Sequence, residues 1–233
     1  MMMNLLEIKE LWKRYGLKAV IRDVNLVITE GKIIGLVGDN GSGKTTLLKM
    51  IAGLQHPSEG NIKIARENVG LETKKIVSFM PDRPVFDEWM TVKDALFFYR
   101  DFYPDFDIQK AVDKVAEFKI PLEEKITALS KGMVEKLQLI LTFSRKAKLY
   151  ILDEPLGGID PVSREHVLEL ILQFYREDST ILISTHLIGE IENIFDEVIF
   201  LKDGEIVLHE NVEELRFKRG KAVTELFKDV FGK

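Results

Sequence analysis

Apolar and polar residues alternate over positions 5–12 and again over 24–29, the two-residue period of a half-buried strand. The spacing predicts two strands there, with a loop containing Tyr15 and Gly16 between them. Positions 32–37 form a compact apolar run, which predicts a short buried strand. An amphipathic stretch follows at 47–52 and predicts a helix ending at Gly53, a good C-cap residue. Pro57-Ser58-Glu59-Gly60 reads as a turn, with short strands expected near 62–64 and 76–79. The period then changes. From Thr91 to about Ala147 apolar residues recur at helical spacing, as in Ala111, Val112, Val115 and Phe118, which predicts an inserted helical subdomain. The β pattern resumes at 149–152, 180–183 and 198–201. The first two runs are uniformly apolar, as expected of strands covered on both faces. Alternating strands and helices predict a mainly parallel α/β sheet. Residues 211–233 read as one or two small amphipathic helices clasping the C-terminal end.

Composition narrows the function classes. The chain has 233 residues, 45% hydrophobic and 30% charged, which are globular values. Its net charge of −5 gives no basic excess that would argue for nucleic acid. There is no cysteine, which removes disulfides, zinc ribbons and thiol catalysis and fits a cytosolic setting. The first ten residues meet charges too early for a signal peptide, and no run of about 18 uncharged apolar residues exists to span a bilayer. Any membrane part of the system is expected on another chain.

The chemistry starts at Gly38-Asp39-Asn40-Gly41-Ser42-Gly43-Lys44-Thr45-Thr46, between the predicted strand at 32–37 and the predicted helix. That is a phosphate-binding loop in its expected setting. Glycines let the backbone wrap around phosphates, and the helix N-terminus adds its dipole. Lys44 is placed to reach the β- and γ-phosphates, and the Thr45 hydroxyl to ligate Mg²⁺. A second constellation is Asp153-Glu154, at the end of the apolar run from 149. In a nucleotide-binding sheet the strand next to the phosphate loop ends near the γ-phosphate. One carboxylate there is suited to Mg²⁺, held directly or through water, and the other to accepting a proton from attacking water.

Together with Leu129-Ser130-Lys131-Gly132-Met133, Gly157-Gly158-Ile159-Asp160 and Thr185-His186, these residues make the chain resemble the nucleotide-binding subunit of an ATP-binding cassette (ABC) transporter over residues 5–210. The resemblance implies a phosphate-loop ATPase fold: a mainly parallel core sheet, an N-terminal antiparallel β subdomain and an inserted helical subdomain. It implies one cassette over 1–233, with a core at 1–81 and 147–210, a helical signature subdomain at 82–146 and a tail at 211–233. ATP and Mg²⁺ are the implied cofactors, and Glu154 is the implied general base. His186 would contact the γ-phosphate, Tyr15 would stack on adenine, with Trp12 the weaker candidate, and Asp160 would join a dimer contact. Ser130, Lys131 and Gly132 would begin a helix running to about Arg145, whose exposed dipole end closes on ATP held by a second cassette subunit. Standing alone, Leu129-Ser130 would read as an ordinary helix N-cap. Implied partners are that second subunit and a transmembrane permease, with the protein peripheral on the cytoplasmic face of the cell membrane and no nucleic acid involved.

Two positions depart from the family pattern. Asp82 stands where the family keeps a glutamine; it is shorter, and when ionised it accepts hydrogen bonds without donating. It could reach Mg²⁺ through water while adding negative charge near the triphosphate, so altered hydrolysis or Mg²⁺ dependence is expected. Lys131 replaces the first signature glycine and opposes the helix dipole by about 0.3–1 kcal/mol, which attraction of phosphate could offset. The Ser-Lys-Gly-Met form resembles cassettes paired with six-helix permeases, often exporters. Among the aromatics of 86–106, most are assigned to packing, while Phe86 and Trp89 are the expected permease contacts. Other functions compatible with the motifs are a soluble cassette acting on nucleic acid or ribosomes, and a regulatory cassette with little turnover.

Overall fold

The computed structural model describes residues 4–232, so the expected chain ends at Met1 and Lys233 lie outside the described residues. Strands β1 (Asn4–Tyr15) and β2 (Lys18–Thr29) form a long antiparallel hairpin turning at Gly16-Leu17. The expected loop around Tyr15 is therefore mostly strand. Alternation fails along 12–24 because the pairing register shifts there, near residues such as Asp23 at φ +43°.

Strand β3 (Ile33–Val37) feeds α1 (Lys44–Ile51), with Gly53 in the left-handed conformation just beyond the helix end. Strands β4 (Glu59–Ile64) and β5 (Glu67–Asn68) complete a four-stranded sheet of order β2-β1-β4-β5. After the short helix α2 (Leu71–Lys74), β6 (Val77–Met80) enters the second sheet. Three capped helices follow: α3 (Val92–Phe102) from Thr91, α4 (Ile108–Glu117) from Asp107 and α5 (Lys131–Phe143) from Ser130. Helix α5 ends two residues short of the expected Arg145. That side chain is buried instead, donating to the Val77, Lys74 and Lys75 carbonyls and pairing with Asp105.

The second sheet has six strands in the order β10-β9-β3-β8-β7-β6, built from β7 (Leu149–Asp153), β8 (Thr180–Thr185), β9 (Glu197–Lys202) and β10 (Glu205–Asn211) with β3 and β6. All neighbours run parallel except β10, which returns along β9 through an Asp203-Gly204 turn with both residues at positive φ. Helix α6 (Pro161–Phe174) links β7 to β8, and α7 (Ile188–Ile191) follows β8. Helices α8 (Val212–Arg219) and α9 (Val223–Phe231) form the tail.

The uniformly apolar strands are explained by two cores. Ile34, Leu36, Ile151 and Leu182 face α1 and the antiparallel sheet; Ile33, Val37, Leu152 and Ile183 face the helices α3 to α6 and the tail. A two-residue period with both faces buried leaves no polar position. The result is a phosphate-loop ATPase fold, as the resemblance implied.

Candidate functional site

The site lies where β3, β7 and β8 end. The strand order corrects one expectation: β7 is not the neighbour of β3, because β8 runs between them. The carboxylates reach the phosphate loop across β8, and Ser184 of that strand joins the two sides. Its hydroxyl donates to Asp153 Oδ1 at 2.6 Å, and the Glu154 amide donates back to Ser184 Oγ at 3.0 Å.

The phosphate loop owes its shape to close backbone approach. Gly43, the residue before α1, sits at φ +107°, and a Cβ there would lie 2.9 Å from the Val20 carbonyl. The antiparallel hairpin thus braces the loop from outside. Lys44 is buried, and its Nζ donates to the Gly38 carbonyl at 2.8 Å and the Asp39 carbonyl at 3.2 Å. It also lies 3.4 Å from Glu154 Oε1.

Glu154 takes a left-handed backbone, φ +52°, directly after the strand, which turns its side chain into the cleft. Its other oxygen lies 2.8 Å from His186 Nδ1. One carboxylate therefore bridges the lysine of the phosphate loop and the histidine after β8. Lys44, Glu154 and His186 line one pocket with Asn40, Gly41, Gly43, Thr45, Thr46, Asp82 and Gly157.

Asp153 is 1% exposed. Burial raises its carboxyl above the ordinary range; the Ser184 and Thr45 hydroxyls oppose this, while Asp82 and Glu154 add to it. Its Oδ2 is buried without a hydrogen-bond partner, as is Ser42 Oγ in the phosphate loop. An orphaned carboxylate oxygen beside Thr45 and two further carboxylates is a natural place for a hard cation. Among the described residues no group of three or more His, Asp and Glu forms a metal site by itself.

Other expected residues lie elsewhere. Tyr15 ends β1 and is half exposed, its hydroxyl bonded to Gln55 and its ring under Lys13. It does not line the pocket; Lys18 and Val20 of β2 do, and the alternation of the sequence singles out neither. A strand beginning at 24 could not have presented them. Trp12 is covered by the Arg14 guanidinium at 4.6 Å.

Ser130 caps α5, accepting from the Met133 amide, and is exposed outside the pocket. Lys131 and Gly132 pack against their own chain, Lys131 on Gly158 and Gly132 on Ser163. Asp160 caps α6 by accepting from the Ser163 amide, and hydrogen bonding from the Ser163 hydroxyl and amide holds its carboxyl below the usual range. Of the two expected permease contacts, Trp89 is exposed, whereas Phe86 is half-buried against the helical core. Phe97, Phe98 and Phe102, assigned to packing, are exposed on α3.

A family model for ABC transporters matches residues 21–157. The ABC transporter ATP-binding protein YtrB of Bacillus subtilis is 34% identical over 91% of this chain and 74% of its own length. The lantibiotic transport ATP-binding protein SrtF of Streptococcus pyogenes is 31% identical, over 91% and 95% respectively. A solved ATP-binding subunit of an ABC transporter superposes with a TM-score of 0.87 at 29% identity, covering 97% of this chain and 99% of that one. Kinship in sequence and in fold thus extends well beyond the phosphate loop, and the chain belongs to the ABC transporter family as an ATP-binding, ATP-hydrolysing subunit.

Proposed function

We propose that this subunit drives a separate membrane permease by closing head-to-tail on a second cassette, with ATP between the two. The observation that carries the reading is the division of the machinery. Lys44, Glu154 and His186 converge in one pocket, while Ser130 and the start of α5 lie outside it and exposed. Ser130 does not share the pocket of Lys44, and in this reading the exposed end of α5 serves the nucleotide of a partner.

In this reading Lys44 and the loop amides hold the phosphates. Glu154 orients the attacking water and takes its proton, and His186, bonded to Glu154, keeps that carboxylate aimed. Phosphate binding competes with Glu154 for Lys44, which frees the carboxylate to act on water. Thr45 and Asp153, with Asp82 beside them, are the residues that would hold Mg²⁺, a fit supported by the unpartnered Asp153 Oδ2. When bound, the ion would offset charge on the β- and γ-phosphates. In this reading the permease is a separate chain and the subunit works on the cytoplasmic face; no helix among the described residues is long and apolar enough to cross a membrane. Docking falls along 82–89, where Val85 and Trp89 are exposed.

The test is the mass in solution of Glu154→Gln with and without ATP and Mg²⁺, by light scattering after size exclusion. An ATP-dependent dimer that disappears with Ser130→Arg supports the sandwich. A species that stays monomeric while binding ATP refutes it.

A further inference from the structure

The two departures from the family pattern, Asp82 and Lys131, meet across one short segment. A Cβ built on Gly157 would lie 3.8 Å from Asp82 Oδ1, and one built on Gly158 would run into Lys131 Nζ. The carboxylate and the ammonium therefore lie against adjacent residues of the loop that leaves Glu154. Gly158 is at φ +68°, so a side chain there is strained in backbone as well as crowded.

Beneath them lies Glu135, one turn beyond Lys131 on α5 and 3% exposed. It feels both charges: Lys131 favours its ionised form and Asp82 disfavours it. A lysine at the first position of a helix opposes the dipole, so its presence at the start of α5 needs a local compensation. Two groups stand near enough to contribute: Glu135 on the same helix, which interacts with Lys131, and Asp82, whose carboxylate lies against the neighbouring glycine.

We propose that Lys131 is a positioning residue acting within its own subunit: laid on Gly158 between Asp82 and Glu135, it ties the start of the signature helix to the loop that carries Glu154. On this view the two departures are one compensated change. Lys131 supplies the positive charge that an aspartate at position 82 calls for, and Ser130 is set relative to Glu154 by an internal contact. The inference rests on the cassette ATPase reading for its kinetic consequence; the contact itself is independent of that reading.

A double-mutant cycle tests it, with Lys131→Gln, Asp82→Asn and the double variant, plus Lys131→Arg as the charge-retaining control. In thermal melts without nucleotide, the double variant is expected to lose less than the sum of the single losses, by about 2 °C or more. In steady-state hydrolysis, Lys131→Gln is expected to lower kcat about tenfold with KM for ATP within twofold. Measured in the Asp82→Asn background, Lys131→Gln should cost at least threefold less than in wild type, and Lys131→Arg should lose less than Lys131→Gln. Additive effects in both assays overturn the proposal. A rise in KM with kcat unchanged, not relieved by Asp82→Asn, also overturns it and assigns Lys131 to the partner's phosphate. If wild type hydrolyses no ATP, the functional reading fails, while the melts still decide whether the contact exists.

Discussion

Replacing Glu135 by glutamine should stabilise the protein, and increasingly so as pH rises. Burial pushes the Glu135 carboxyl from its ordinary 4.5 up to about 7, with Asp82 adding to the rise and Lys131 opposing it. Between those two pH values the folded chain keeps a proton that the unfolded chain has released. Stability therefore falls as pH rises from about 4.5 to about 7 and is level above that. Each pH unit of displacement is worth about 1.4 kcal/mol, so the ionised carboxylate costs up to about 3 kcal/mol at pH 8. Glutamine has nearly the same shape and does not ionise. At pH 5, just above the unfolded value, most of that cost is still to come, so the variant and wild type differ mainly by the local change in hydrogen bonding. By pH 8 the variant should gain up to about 10 °C relative to that baseline, at roughly 2–4 °C per kcal/mol for a chain of this length. Melts followed by circular dichroism at pH 5, 6, 7 and 8, without nucleotide, measure it. A difference between the two proteins that stays constant within about 1 °C across the series refutes the reasoning. So does a wild type that gains on the variant as pH rises, which would mean that the Lys131 charge outweighs burial.

Three further outcomes follow from the same geometry. Glu154→Gln should lower ATP turnover about 10²–10⁴-fold while leaving ATP affinity within severalfold, as read by phosphate release and by fluorescent-nucleotide titration. Arg145→Met should cost about 3–5 kcal/mol in urea unfolding, because it removes the buried guanidinium that serves the Val77, Lys74 and Lys75 carbonyls and pairs with Asp105; a loss under about 1 kcal/mol refutes this. Glu197 is held down to about 2, chiefly by its hydrogen bond to His209 and also by Lys32, so its folded pKa lies below its unfolded one. Its contribution is present above about pH 4.5 and lost as pH falls toward 2; the advantage of wild type over Glu197→Gln should therefore shrink in melts taken from pH 5 downward.

Much of the fold was legible because its signals are local. The uniformly apolar runs that became β7 and β8 can satisfy a two-residue period only when both faces are covered, and two cores cover them. The hairpin of β1 and β2 is only partly legible because register shifts between Leu11 and Arg14, and the positive φ of Asp23, break the alternation, though each arm is 12 residues long. Strand β10 was missed although Asp203-Gly204 is a strong hairpin signal. Its positions alternate between half-buried and exposed, so no continuous apolar run marks it. Strand order was not legible at all. That β8 separates β3 from β7 is decided by how the helices cross the sheet, and no residue of β7 records its neighbour.

The same division runs through the site. Lys44, Asp153, Glu154 and His186 are readable because each is tied to a strand end: Asp153 closes β7, Glu154 and His186 come next after β7 and β8, and Lys44 opens α1 after the loop from β3. Strand ends on one side of a parallel sheet converge whatever their order. Residues whose role depends on what packs against them were not readable. Glu135, four positions after Lys131, would pass for half of an exposed helical ion pair, which is worth a few tenths of a kcal/mol. In the fold it is buried, and it feels the charges of both Lys131 and Asp82. Lys18 and Val20 entered the pocket by a similar route, through a strand that starts earlier than its alternation shows. A motif therefore locates the chemistry, while the charges that hold the motif in place come from distant segments. Asp82 and Lys131 look like two unrelated departures along the chain, and the glycine pair between them in space makes them one.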